Sequence, residues 1–106
     1  MVKPFLEREV DKLLVAECKA RGIKTVKTVS VAHRGMPDRM VYGPGKRFGF
    51  VELKRHGGAV TLLQKELIAE LQRAGVWVRL LVGEPTKERT LLRVRQVLDD
   101  YLWGIK

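Results

Sequence analysis

Asp38, which follows Gly-Met-Pro, and a Glu-x-Lys triplet, Glu52 and Lys54, are the residues whose types and spacing could do chemistry in this chain. Two ionised carboxylates brought close together repel, and each is pushed toward its protonated form unless a positive charge lies between or beside them. A divalent cation removes that conflict. A lysine beside such a cation can hold or deprotonate a water, or stabilise charge developing on a phosphate. Fragments this short also recur by chance, and the plain alternative is a solvated sheet face on which Lys54 merely pairs with Glu52.

The surrounding residues decide whether the carboxylates can meet. Asp38 to Tyr42 and Arg47 to Lys54 are rich in Val, Phe, Tyr and Met, and Gly43, Pro44 and Gly45 between them supply turn chemistry, which predicts an antiparallel hairpin. Side chains alternate along a strand, so Asp38, Met40 and Tyr42 share one face, as do Phe48, Phe50, Glu52 and Lys54. If Tyr42 pairs with Phe48, the same register sets Asp38 opposite Glu52 with Cβ atoms roughly 5 Å apart. Pro37 biases Met36 toward extended backbone and so fixes the entry to the first strand.

In order along the chain, Pro4 to Arg21 reads as a helix with Leu6, Val10, Leu13, Leu14 and Cys18 at steps of three and four, ended by Gly22. Glu9 lies within its broad apolar face, between Phe5 and Leu13, where a carboxylate wants a partner. Glu17 falls on that face about 12 Å further along, and periodicity does not choose between the two. Ile23 to Val31 is a β-branched first strand, followed by a polar link through His33 and Arg34. The loop Arg55-His56-Gly57-Gly58 is basic and flexible. Thr61 to Ala74 is a second helix, with Leu63, Leu67, Leu71 and Ala74 on one face and Gly75 at its end. Val76 to Val82 is a mostly buried strand, with Trp77 in a core or an interface. Glu84-Pro85-Thr86 introduces a last helix to Leu102, packing through Leu91, Val94, Leu98 and Tyr101, while Arg89, Arg93 and Arg95 lie elsewhere on it, as a solvated charge set balanced by Glu88, Asp99 and Asp100 or as a phosphate-binding face. Gln64 carries two readings. It completes a capping box with Thr61, or it faces a neighbouring strand end and the carboxylates.

With 106 residues and 45% apolar content, the chain has the size of one α/β domain, 1–106, with a modest core. The formal charge of +9 points to a polyanionic partner. No stretch has the apolar length of a membrane span, and Met1 to Glu7 lacks a signal peptide's apolar segment, so an intracellular location is expected. Cys18, the single cysteine, excludes an internal disulfide and a cysteine-based zinc cluster, and its helical spacing from Leu14 places it in the core.

The ordered set of Glu9, Gly35-Met36-Pro37-Asp38, Phe50-Val51-Glu52-Leu53-Lys54, Gly57-Gly58 and Gln64 spans nearly the whole chain and resembles the small standalone members of the VRR-NUC branch of the PD-(D/E)XK nucleases. The resemblance implies a restriction-endonuclease-like core of order αβββαβ plus a C-terminal helix, with helices flanking a small mixed sheet. It implies a magnesium- or manganese-dependent DNA endonuclease, structure-selective, similar to four-way (Holliday) junction resolvases acting as homodimers. Within it, Asp38, Glu52, Glu9 and the backbone carbonyl of Leu53 hold the metal, Lys54 orients or activates the water, and Gln64 points into the active site. A monomeric nickase or flap nuclease, or a DNA-binding module of the same fold without the chemistry, are the alternatives.

Overall fold

The hairpin sets the frame for everything else. In the computed structural model, which describes residues 5–28 and 35–104, the chain runs α1 (Glu7–Ala20), β1 (Lys24–Lys27), β2 (Arg39–Tyr42), β3 (Phe48–Lys54), α2 (Leu62–Arg73), β4 (Trp77–Val82) and α3 (Lys87–Trp103). This is the αβββαβ order with a C-terminal helix. The expected first strand is found over Lys24–Lys27; its continuation through Val29 and Val31, like His33 and Arg34, lies outside the described residues, as does Pro4.

One four-stranded mixed sheet has the order β1-β2-β3-β4, with β1, β2 and β3 antiparallel to their neighbours and β4 parallel to β3. Tyr42 pairs with Phe48, the register expected from the turn, and the Gly43 N–H donates to the Arg47 carbonyl at 2.8 Å to close it. β4 reaches its parallel place through α2, as a crossover connection requires. Gly49 lets β4 come close, because a Cβ there would sit 2.4 Å from the Trp77 carbonyl oxygen.

The core lies on one face of the sheet. Val41, Val51, Leu53 and Leu81 pack there against Val10, Leu14 and Cys18 of α1 and Val94, Leu98 and Tyr101 of α3. Each such side chain withdrawn from water contributes roughly 1.5–3 kcal/mol before the entropy of ordering it is counted. Burial also pushes the Cys18 thiol up to about 11, which leaves it inert at neutral pH. On α3 the buried stripe is Thr90, Val94, Leu98 and Tyr101, with Thr90 in the place expected of Leu91. Its hydroxyl makes burial possible by donating to the Thr86 carbonyl at 2.7 Å and accepting the Glu84 N–H at 2.9 Å.

Among the described residues the other face of the sheet carries α2, and the apolar face expected of Leu63, Leu67, Leu71 and Ala74 is only partly covered. No residue of α2 is fully buried, and Leu63 is 46% exposed. A single short helix cannot cover this side of the sheet, so its apolar positions stay half open. The arginines of α3 also find other partners than expected: Arg95 pairs with Glu17 of α1 at 2.8 Å and Arg89 with Glu84 at 3.5 Å. Trp77 is half-buried and donates its indole N–H to Asp100 at 2.9 Å.

Candidate active site

Where β2 begins, the chain supplies an acid in place of a ladder bond. The alternation of an antiparallel pair, counted from the Gly43–Arg47 bond, makes Pro37 and Leu53 face each other at a hydrogen-bonding position just past the Arg39–Val51 pair. Proline has no N–H to donate, so β2 offers the Leu53 carbonyl no donor from that place. The Leu53 N–H donates instead to Asp38 Oδ2 at 2.7 Å. The aspartate is thereby held at the sheet's end through Oδ2. Thr28 at the end of β1 ties the same turn down, its hydroxyl donating to the Pro37 carbonyl and its N–H to the Asp38 carbonyl at 3.0 Å.

Glu52 lies on the α2 side of β3 and is 1% exposed. Its Oε2 accepts a hydrogen bond from the Gln64 amide at 2.7 Å and meets Lys54 Nζ at 3.3 Å. Its Oε1 is buried with no hydrogen-bond partner. Burial first, and then the nearby negative charge of Asp38, push the Glu52 carboxyl up to about 7, with Lys54 acting in the opposite direction. An orphaned, buried carboxylate oxygen beside a second carboxylate is costly unless something positive fills the space.

Gln64 does both things expected of it as alternatives. Its Oε1 accepts the Thr61 N–H at 2.9 Å while Thr61 Oγ1 accepts the Gln64 N–H at 3.2 Å, a complete capping box. Its Nε2 remains to hold Glu52. One side chain starts α2 and fixes the carboxylate.

Glu9 is the expected ligand that the fold does not bring to this cluster. Its Oε2 accepts the Leu6 N–H at 2.8 Å, capping the start of α1. A carboxylate at the third position of a helix reaches back to an orphan N–H more readily than it reaches across to a strand. Glu17 is also spent, bonded to Arg21 and Arg95. The helix carboxylate that does face the site is Glu7. It lines a cavity of about 230 Å³ together with Arg8, Asp11, Lys27, Thr28, Asp38 and Leu53. Partial burial raises the Glu7 pKa, the charge of Asp38 adds to this, and Lys54 opposes it. Asp11 in the same cavity is committed to Arg39, which donates to it twice, at 2.6 and 2.9 Å. Stepping back from Cys18 through Leu14 to Asp11 and Glu7 at intervals of four, three and four gives the signal that was available for Glu7. Among the described residues no three of His, Cys, Asp and Glu converge tightly enough to form a ligand set by themselves. Asp38 and Glu52 form a pair, and Glu7 shares the cavity with Asp38 but not with Glu52.

The approach of α1 is fixed from behind. His56 N–H donates to the Phe5 carbonyl at 3.1 Å, Gly83 N–H to the Lys54 carbonyl at 2.8 Å, and His56 Nδ1 lies 3.2 Å from the Gly83 carbonyl, which assigns the proton to Nδ1. Gly83 makes this crossing tight, since a Cβ would lie 3.0 Å from Val10 Cγ2 and 3.1 Å from the His56 nitrogen. These bonds lock the strand ends carrying Lys54 to the chain entering α1, and so set the distance from Glu7 to Asp38.

The sequence matches no family model and no curated relative. A solved structure described as "VRR_NUC domain" superposes with a TM-score of 0.76 at 23% identity, covering 90% of this chain and 96% of that one. At that coverage and TM-score the likeness extends over nearly the whole of both chains: this chain has the fold of a VRR_NUC domain, the one its sequence resembles.

Proposed function

We propose that this protein is a divalent-metal-dependent DNA nuclease whose active site is built on Asp38, Glu52 and Lys54. The observation that carries the reading is Glu52 Oε1, buried without a partner next to the Asp38 carboxylate. That arrangement is unfavourable in a purely structural role and favourable around a cation. The donors present are oxygens, the ligand type that suits magnesium or manganese. The fold shared with a VRR_NUC domain and the charge of +9 favour a nucleic-acid substrate.

On this reading the carboxylates of Asp38 and Glu52 and the Leu53 carbonyl, freed from the ladder by Pro37, would hold the ion, with Glu7 facing it from α1 in the part expected of Glu9. The ion supplies Lewis-acid polarisation of a phosphate and a lowered pKa for water. Gln64 keeps Glu52 in one orientation through Oε2, so that Oε1 alone is offered. Lys54, 3.3 Å from Glu52 Oε2, keeps its ammonium beside the attacked phosphate, orienting the water and offsetting charge on the phosphoryl oxygens. The reaction is hydrolysis of a DNA phosphodiester, selective for branched structure. Resolving a four-way junction takes two opposed cuts, so that activity belongs to a symmetric homodimer.

The experiment is manganese titration by calorimetry beside a cutting assay on junction, flap and continuous duplex, with a chelator control. Asp38→Ala should lose both metal binding and cutting. Lys54→Ala should keep metal binding within about threefold while cutting falls by two or more orders of magnitude, roughly the range of a lost acid–base or electrostatic group. Normal cutting by Asp38→Ala would sink the assignment.

A further inference from the structure

At the start of α2 two leucines stand in water beside the carboxylate pair. Leu62 is 72% and Leu63 46% exposed, and both immediately precede Gln64, whose amide holds Glu52 at 2.7 Å. Leu63 also rests on the turn that carries the other acid: a Cβ on Gly35 would lie 3.1 Å from the Leu63 carbonyl oxygen and 3.3 Å from its Cγ. The exposed pair therefore sits between the segments that deliver Asp38 and Glu52. Single exposed apolar residues are ordinary on protein surfaces, as Leu92 is on α3 at 58%. An adjacent pair at the rim of a charged site is a different matter. The first turn of α2 has no acidic residue; exposed Lys65 follows it and exposed Glu66 comes next, one turn on from Leu62.

We propose, resting on the nuclease reading above, that Leu62, with Leu63 buttressing it against Gly35, is a wedge that covers the open face of a base pair where DNA stacking is interrupted. A continuous duplex presents phosphates and groove edges and has no apolar surface for a leucine to cover. A nick, flap or branch point exposes a base face, and aliphatic side chains gain by covering it or by opening such a step. Structure selectivity thus comes from a contact that only an interrupted stack can make. Leu62 lies within a single helical turn of Gln64, about 5 Å of rise, so the cut falls within roughly one to three nucleotides of the discontinuity at about 3.4 Å per step.

The test uses two readouts on the full chain. In chelator, 2-aminopurine at the base pair flanking a nick reports unstacking or capping through its emission. In manganese, cutting rates are compared on nicked or flapped DNA and on continuous duplex. Leu62→Gln should abolish the emission change and lower the preference for interrupted DNA about tenfold, the scale of losing a base-face contact, with continuous duplex cut within about twofold of wild type. Leu62→Phe should retain both, and Leu92→Gln should match wild type throughout. The wedge is overturned if Leu62→Gln behaves as wild type, if it slows both substrates equally, or if sedimentation shows that its effect is loss of a dimer. A wild-type protein that shifts the emission but cuts nothing upholds the wedge and overturns the nuclease reading, so the two failures are distinguishable.

Discussion

Glu52 is the residue on which the proposed chemistry turns, and its environment has a consequence for stability. In the folded, metal-free protein its carboxyl holds a proton up to about pH 7, against an ordinary value of 4.5. Between those values the folded state binds more protons than the unfolded one, so stability falls as pH rises through that window and levels off above it. The loss is of the order of 3 kcal/mol. Thermal unfolding in chelator from pH 4.5 to 8 should show the decline, and Glu52→Gln should flatten it and leave the metal-free protein more stable at pH 8. A manganese-saturated sample should lose less stability over the same range, because a bound cation replaces the proton. The two helix acids separate in the same way. Glu9→Gln should cost about 1 kcal/mol or less of stability through its cap and leave metal affinity unchanged, whereas Glu7→Gln should weaken manganese binding several-fold with unfolding hardly altered. Calorimetry and melting curves on the two variants read both effects.

Among the elements, α1 and α2 differ sharply in how they are held. α1 buries Val10, Leu14 and Cys18 and is tied to β2 by the twofold contact between Asp11 and Arg39. α2 has no buried residue, and its polar anchors to the sheet are Gln64 on Glu52 and the Gln72 amide on the Val78 carbonyl at 3.0 Å. Local opening follows local burial, so the amides of α2 should exchange with solvent faster than those of α1 and α3. Gln64→Ala should speed that exchange further by removing cap and anchor together, and should also loosen Glu52. Hydrogen exchange resolved by peptide would show α2 as slow as α1 if this account of its packing is wrong.

For the molecule as a whole, charge is the property that matters first. A protein of net charge +9 that binds DNA through phosphates releases counterions, so log affinity should fall linearly with log salt, with a slope of magnitude about 0.9 for each phosphate engaged on duplex. Fluorescence anisotropy between low and moderate salt measures it, and a flat response would remove phosphate contact as the basis of binding. Among the described residues no helix is long and apolar enough to cross a membrane. The two-cut requirement of junction resolution adds a condition on assembly: a protein that sediments only as a monomer at assay concentration should nick junctions without resolving them.

What the residues alone determined was the hairpin and its acids. Given a pairing of Tyr42 with Phe48 across the Gly-Pro-Gly turn, alternation alone sets Asp38 opposite Glu52, because that rule is local, and the sheet has that pairing. The helix order and the buried positions Val10, Leu14 and Cys18 of α1 followed for the same reason, whereas the face of α2 and the place of Leu91 on α3 did not. Which helix acid faces the strands was decided only in three dimensions, since Glu7 and Glu9 differ by about 200° around the helix axis and the orientation of α1 depends on contacts distant in sequence: Arg39 with Asp11, and Phe5 with His56. Gln64 shows the same limit from the other side. Its cap was legible as a spacing of three, but its grip on Glu52 depends on where a crossover helix comes to rest against the sheet. Local periodicity sets what a residue can reach within its own element, and packing between elements decides what it meets.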